Sequence, residues 1–266
     1  MKKSTVLAAV VAVAATATMS YAGMNARTGV NGSFHDMNVV SGTTPDVYGR
    51  VCVFCHTPHN AVVTGVDGTE RLPLWNKTVS VATYVPYQWA TPDNLAAIGA
   101  IADPLVGPSR LCVTCHDGSI AVDTHGPATP EVGILKLTGN RAIGIGANLE
   151  STHPIGFKYS DAVKRNILAD AALGTTAVDE IVPASERFAS AVAINEAGYT
   201  TVTRNGQRTI GSTLFGGDIM TCATCHEVHN KENVINDLST DGTTRPNYFL
   251  YAKEAGSAIC LSCHVK

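Results

Sequence analysis

Eight cysteines carry the most specific chemical signal in this 266-residue chain, because they fall into four pairs with two residues between the partners. A histidine directly follows the second cysteine of every pair. The four motifs occupy residues 52–56, 112–116, 222–226 and 260–264. Only 9 of the 266 residues are histidine, so four such followers are not a chance arrangement. The pattern predicts one covalently attached haem c at each motif.

The spacing suits this chemistry for a geometric reason. Cysteines three positions apart project from one side of a helical turn, where their thiols can form thioethers with the two vinyl groups of a haem. The next residue then lies under the ring and can bind the iron. We expect haem attachment at Cys52, Cys55, Cys112, Cys115, Cys222, Cys225, Cys260 and Cys263. We expect the proximal iron ligands to be His56, His116, His226 and His264.

Other uses of paired cysteines explain the pattern less well. A disulfide framework has no need of a histidine after every second cysteine. Zinc ribbons use two Cys-x-x-Cys pairs for each ion, and they also leave the four histidines unexplained. Thioredoxin-like pairs occur singly and in a βαβ context that this sequence lacks.

Five further histidines compete for the sixth position of each iron, which histidine, methionine or a substrate can fill. His59 and His229 each stand three residues after a proximal histidine, too near to reach the opposite face of the same ring, so we expect them to bind neighbouring haems. His35 and His153 are the other two predicted distal ligands. His125 lies in a turn-like Asp-Thr-His-Gly-Pro stretch and is predicted to be the spare.

The first 22 residues predict an export signal. Lys2 and Lys3 precede an apolar run, and Ser20-Tyr21-Ala22 has the pattern of a secretory cleavage site. Removing residues 1–22 takes away two lysines and no acid, which moves the formal charge from −3 to −5. Basic residues are scattered, so nucleic acid is not an expected partner.

The elements that must position these ligands are short. The sequence predicts a helix over 161–173, a second helix over 184–198, and a β-hairpin over 199–211 that turns at Asn205-Gly206. Glycine, proline, threonine and asparagine are frequent elsewhere. The expected fold is therefore an irregular, coil-rich multihaem cytochrome c domain over 23–266, in which the haems form much of the core and 126–220 forms a middle lobe.

The sequence also resembles a known family. "VCVFCHTPHN", "RLCVTCHDGSIAV", "HPIGF" and "CATCHEVHN" are similar to segments of multihaem cytochromes with doubled Cys-x-x-Cys-His motifs. The resemblance is closer to tetrahaem extracellular cytochromes that polymerise into conductive filaments, of the outer-membrane cytochrome E type. It covers most of the chain after residue 22, including "FHDMN" near its start.

The resemblance implies four bis-histidine haems that carry electrons along an extracellular filament to external acceptors, with no enzymatic reaction. Its partners would be identical subunits and redox-partner cytochromes or external acceptors. In such filaments one distal histidine comes from a neighbouring subunit, and His35 is predicted for this role because it lies early in the exported chain. Two alternatives remain at this stage: a soluble periplasmic electron shuttle, and a multihaem reductase of a small oxyanion.

Overall fold

Helices and strands take up a small part of the described chain, and all of them are short. The computed structural model describes residues 29–65, 71–88, 101–125, 135–164, 181–194, 200–206, 208–229, 237–238, 244–245 and 248–265. The α-helices are α1 (Ser109–His116), α2 (Cys222–Cys225) and α3 (Ala258–Cys263), and residues 159–164 are also helical. The 3₁₀ turns are Cys52–Phe54, Gly139–Arg141, Ile145–Ala147, Ile210–Thr213 and Ala255–Ser257.

The strands form three separate two-stranded antiparallel sheets within the described ranges. They pair β1 (Val62–Thr64) with β2 (Arg71–Trp75), β3 (Ala191–Ile194) with β4 (Thr200–Thr203), and β5 (Asp237–Leu238) with β6 (Thr244–Arg245). Because no sheet is large enough to supply a packed layer, the described chain depends on side-chain clusters around the cysteine motifs for its core.

Three apolar clusters lie against those motifs. The largest includes Leu105, Phe188 and Ile210, and the third and fourth pairs of cysteines meet it through Cys222, Cys225 and Cys263. A second cluster consists of Met37, Phe54 and Val122, with Cys115 packed against it. A third consists of Leu72, Trp75 and Val79, with Cys55 packed against it. Each cluster therefore brings a motif cysteine to its edge, and a core completed by haem stays a prediction.

The described part of the predicted middle lobe packs into the largest cluster. Phe188, Ile210 and Leu214 are buried there together with Val113 of α1. Ile181 also forms an antiparallel bridge with His264. This region therefore contributes directly to the surroundings of the haem motifs.

The predicted helix over 184–198 is wrong in its described part. Residues 184–190 are non-helical, and β3 follows them. Val192 of β3 lies directly opposite Val202 of β4, and both pack against the largest cluster. The alanine-rich composition favours a helix only weakly, and this cross-strand packing overrides it.

The predicted hairpin around Asn205-Gly206 is also wrong, because β4 pairs with β3, the strand that precedes it in the chain. Gly206 instead donates its N–H to the Phe188 carbonyl at 3.1 Å. A Cβ atom at Gly206 would lie 2.5 Å from that oxygen, so glycine permits a close approach between segments here.

The predicted helix over 161–173 can be followed through residue 164, and the rest lies outside the described residues. The helix begins at residue 159, so Ser160 and Asp161 lie within its first turn. The Ser160 hydroxyl donates to Asp218 at 2.7 Å. It therefore ties the helix start to the segment before α2 and does not cap the helix.

Candidate haem-binding sites

All four cysteine pairs lie on single helical turns. Cys52 begins a 3₁₀ turn, and the other pairs lie in α1, α2 and α3. In three motifs the histidine N–H donates to the carbonyl of the first cysteine, at 2.9 Å for His56, 3.0 Å for His226 and 2.9 Å for His264. The turn therefore holds both thiols and the following histidine in one compact unit.

Each of these turns offers two thiols and one imidazole. All eight cysteines are free thiols. In the described ranges, no group of three or more histidine, cysteine or acidic side chains is placed to hold a metal ion. A structural zinc ion needs four protein ligands, whereas a haem iron needs only two because the macrocycle supplies the others. The residues present fit haem.

The histidine at the end of each turn is fixed by neighbouring backbone. His56, His226 and His264 form isolated antiparallel bridges with Trp75, Leu250 and Ile181, respectively. His116 ends α1 instead. After it the chain turns at Gly118, whose φ is 74° and whose N–H donates to the Cys115 carbonyl at 3.1 Å.

Two proximal histidines have one ring nitrogen oriented by a backbone carbonyl. His116 Nδ1 lies 3.0 Å from the Arg141 carbonyl oxygen, and His226 Nδ1 lies 2.7 Å from that of Tyr248. A carbonyl can only accept, so Nδ1 carries the proton. The lone pair is then on Nε2, which is the arrangement that metal-binding histidines commonly use.

Three of the four motif histidines lie at a ring spacing from a predicted distal histidine that matches two ligands of one iron. Two imidazoles that bind a metal from opposite sides, through metal–nitrogen bonds of about 2.0 Å, have ring centres about 6.3 Å apart. The ring centres are 6.1 Å apart for His35 and His116, 6.1 Å for His56 and His229, and 6.4 Å for His153 and His264. The interplanar angles differ, at 45°, 28° and 65° respectively, but rotation about the shared axis does not change this spacing.

The predicted distal histidines of these pairs are held in different ways. His153 Nδ1 lies 3.0 Å from the Pro154 carbonyl oxygen, and His229 Nδ1 lies 3.2 Å from Glu227 Oε1. Burial, followed by the neighbouring charges of other histidines, lowers the pKa of His35 to about 4. The His35 ring is therefore neutral at neutral pH and has a lone pair to offer.

His125 differs from all of these histidines because both of its ring nitrogens are engaged. Nε2 lies 2.9 Å from Asp46 Oδ1, and Nδ1 lies 3.2 Å from the Asp123 carbonyl. Its ring meets Phe54 edge-on. The Arg50 guanidinium, which donates twice to the same Asp46 carboxylate, holds the pKa of Asp46 well below its usual range. His125 thus belongs to a structural hydrogen-bond network, in keeping with its predicted role as the spare.

Replacing His125 with alanine should leave the number of haems and their low-spin spectra unchanged. It should lower the unfolding midpoint by roughly 2–4 °C, because the buried Asp46 carboxylate loses one donor. Visible and electron paramagnetic resonance spectra, with thermal unfolding, check both parts. His153→Ala is the matched control and should create a high-spin haem. A high-spin haem in His125→Ala would make His125 a ligand.

His59 and His226 are left over from the three pairs. Neither ring has an aromatic-ring contact within the part of the chain that the structure describes. Both residues are exposed. The predicted role of His59 as a ligand within its own chain is therefore not supported by a nearby proximal ring.

The cysteines place neighbouring motifs next to one another in chain order. The Cys222 N–H donates to the Ser109 hydroxyl of α1 at 3.0 Å. The interaction between the Cys112 and Cys222 thiols raises the pKa of Cys112 and lowers that of Cys222 to about 7. Burial raises the pKa of Cys115 to about 11, and the charge of Cys55 adds to this effect. Burial likewise raises the pKa of Cys225 to about 12, with Cys263 as the next contributor. The first motif thus neighbours the second, the second the third, and the third the fourth.

Several supporting residues carried no signal in the sequence. The carbonyls that orient proximal histidines belong to Arg141 and Tyr248, which are distant from those motifs in sequence. Trp75 is buried, its ring is T-shaped to His56, and its indole N–H has no hydrogen-bond partner among the described residues. Such an orphaned donor next to a proximal histidine is consistent with an acceptor supplied by a bound group.

Comparisons with protein-family models and with curated proteins found no match to this chain. Among the described helices, none combines the length and the apolar character needed to cross a membrane. The assignment of function therefore depends on the geometry of the motifs and on the resemblance noted in the sequence.

Proposed function

We propose that the chain is a tetrahaem c-type cytochrome that carries electrons and catalyses no reaction of its own. Each Cys-x-x-Cys-His turn would hold one haem c through two thioethers and a proximal histidine. Bound haem supplies an iron centre that takes up and releases one electron at a time. The protein fixes the spacing of these centres, their axial ligands and their electrostatic surroundings.

The observation that carries this proposal is the set of three histidine pairs. Each pair joins a motif histidine to one of the independently predicted distal histidines, and all three ring spacings lie between 6.1 and 6.4 Å. Irons with two histidine ligands have no open position for a substrate. This favours electron transfer over a reaction at the iron.

The order of the motifs in space supports an electron path from each proposed haem to the next. Cys222 donates its N–H to Ser109 of α1, the helix that carries Cys112, and the charges of Cys55 and Cys263 reach Cys115 and Cys225. Thioethers formed at these cysteines would hold the edges of successive haems close together. Short edge-to-edge separations favour rapid exchange of single electrons.

The site at His226 points to assembly. Among the described residues no histidine ring is in contact with His226, although His116 and His35 lie close enough to interact with it by charge, and both His226 and His59 are exposed. We propose that His59 of one chain is the distal ligand at His226 of the next, which would continue the electron path across subunits. The 6.1 Å spacing between His35 and His116 favours His35 as a ligand within its own chain, in place of the crossing role expected from the sequence.

An exposed His226 with no described histidine ring in contact with it is also what a reductase would need, since it would leave one iron open to a small oxyanion. A monomeric shuttle differs from the filament only in its assembly. The two alternatives and the proposal are separated by imaging the exported, haem-loaded protein by cryo-electron microscopy without prior dissociation. The leader that predicts export lies outside the described residues, so extracellular location is part of this proposal.

Filaments with a histidine bridging each subunit junction would support the proposed conduit. Discrete particles with four internally bis-ligated haems would replace it with a shuttle. Discrete particles with one permanently open iron, together with turnover of an oxyanion, would replace it with a reductase. Spin state must be measured on the same intact sample, because a separated subunit would also show one open iron.

The exported chain should contain four covalently bound haems. Denaturing mass spectrometry should give the mass of the chain plus four haems, and Cys260→Ser with Cys263→Ser should reduce the number to three. A pyridine haemochrome measurement counts the haems independently. Recovery of the bare chain, or of the chain with zinc alone, would contradict the proposal.

A further inference from the structure

Lys77 is a buried lysine with an unusual set of partners. Its residue surface is only 5% exposed. Its ammonium donates to the Thr124 carbonyl at 2.7 Å, to the Thr124 hydroxyl at 3.1 Å and to the Ala121 carbonyl at 3.5 Å. It takes part in none of the ion pairs of the described chain. Neutral oxygens therefore solvate its charge, although lysine is rarely buried without a counter-ion.

Its location joins the first two haem motifs. The preceding residue, Asn76, donates its backbone N–H to the Cys55 carbonyl at 2.9 Å. Its acceptors, Ala121 and Thr124, lie in the segment that follows the second motif. Burial lowers the pKa of Lys77, while the charges of Cys115, Cys55 and Asp123 oppose that change. The ammonium is thus close to attachment cysteines of both motifs.

We propose that Lys77 raises the reduction potentials of the two haems held at motifs 52–56 and 112–116. The inference rests on the proposed function, because it concerns haems attached at those cysteines. Reduction removes one unit of positive charge from an iron site, so a fixed cation nearby favours the reduced form. The effect is strong in a buried location because the local dielectric constant is low.

The consequence concerns the first two sites, because the fourth motif has a cation of its own: the Arg204 guanidinium donates to the Leu261 and Ser262 carbonyls. The described surroundings of the third and fourth motifs contain no buried lysine. Electrons would therefore be held more favourably at the first two haems than they would be without Lys77. Lys77 would act through its charge alone, because its hydrogen bonds go to Ala121 and Thr124 and not to a predicted axial ligand.

The decisive variant is Lys77→Met, which keeps the aliphatic length and removes the charge. A spectroelectrochemical titration of the holoprotein, fitted with four one-electron steps, should show two midpoint potentials falling and two unchanged. We expect the reduction equilibrium of each affected haem to fall about tenfold, which corresponds to about 59 mV for one electron. Lys77→Arg should restore most of the difference. Lys164→Met removes an exposed lysine and should move none of the four.

Unchanged potentials in Lys77→Met, or an equal fall of all four, would overturn the proposal. If that variant does not retain four haems, Asp123→Asn gives a test of opposite sign. Asp123 is buried and accepts the Thr44 N–H at 2.8 Å and the Leu135 N–H at 3.3 Å, and an asparagine oxygen can keep one of these bonds. Removing its negative charge should raise the same two potentials, and the absence of a rise would equally overturn the proposal.

The two levels of inference fail in distinguishable ways. If the assembled wild-type protein does not contain four low-spin haems, the proposed function is wrong and the role of Lys77 does not arise. A wild-type protein with those haems, in which neither variant shifts two potentials, would leave electron transfer intact and remove only the role of Lys77.

Discussion

Replacing His59 with alanine is expected to abolish assembly into filaments while leaving the spectrum of separated chains unchanged. His59 is exposed, and its ring contacts no other aromatic ring in the described part of the chain. Three of the four proximal histidines already face a partner in their own chain, and His226 is the fourth. A separated chain would not use its own His59 as a ligand, so its loss would be visible only where chains meet.

The measurement combines two readouts on the same preparations. Electron microscopy and sedimentation report assembly, and electron paramagnetic resonance reports the number of high-spin irons. Wild-type filaments should contain only low-spin haems, and dissociated wild-type chains should contain one high-spin haem. His59→Ala chains should match the dissociated wild type under all conditions.

His229→Ala is the matched control, because His229 stands in the same Cys-His-x-x-His spacing as His59. His229 faces His56 within the chain, so its loss should add one high-spin haem to separated and assembled protein alike. Filaments with only low-spin haems formed by His59→Ala would show that another residue crosses the subunit junction.

The four compact Cys-x-x-Cys-His turns could be predicted from the sequence because each one is a local structure. Cys52 and His56 are joined by a hydrogen bond within a single turn, and the same bond recurs at the third and fourth motifs. Nothing outside the turn is needed to place two thiols and an imidazole together. The four turns follow from the spacing alone.

The pairing of histidines could not be predicted, because it depends on contacts between distant segments. His59 and His229 have the same local spacing, yet only His229 faces a proximal ring. Two hydrogen bonds of Glu227 place His229. The Glu227 N–H donates to the Phe249 carbonyl at 2.8 Å, and the Glu227 side chain accepts the His229 backbone N–H at 3.0 Å. Local spacing thus identifies a candidate ligand but not its iron.

Contacts between distant segments also explain why the secondary structure is partly mispredicted from the sequence and why the burial of Lys77 is not foreseen. The alanine-rich segment over 184–198 has fair helix propensity, but the Val192–Val202 contact stabilises a strand pair that local preference does not reveal. Lysine is normally a surface residue, and only the folded chain shows Lys77 enclosed by the Ala121 and Thr124 oxygens. Residues that support a site from a distance need the tertiary structure to be found.

Replacing His35 with alanine is expected to open one iron in every chain, whether or not that chain is assembled. The His35 ring lies 6.1 Å from His116, and His116 Nδ1 is already held by the Arg141 carbonyl. The proximal bond should therefore survive the substitution, and the haem should remain attached through Cys112 and Cys115. The separated His35→Ala chain should show two high-spin haems, where the wild type shows one, and its assembled form should show one.

His35→Met distinguishes a lost ligand from a disturbed fold, because methionine can bind the same iron and raises its reduction potential relative to histidine. This variant should keep the haem low-spin and raise one of the four midpoint potentials, with filaments retained. The opposite result would be specific: if His35→Ala prevents assembly and leaves the separated chain spectrally identical to the wild type, His35 crosses the junction as the sequence suggested. His59 would then need a partner within its own chain, and the proposed subunit contact at His226 would be wrong.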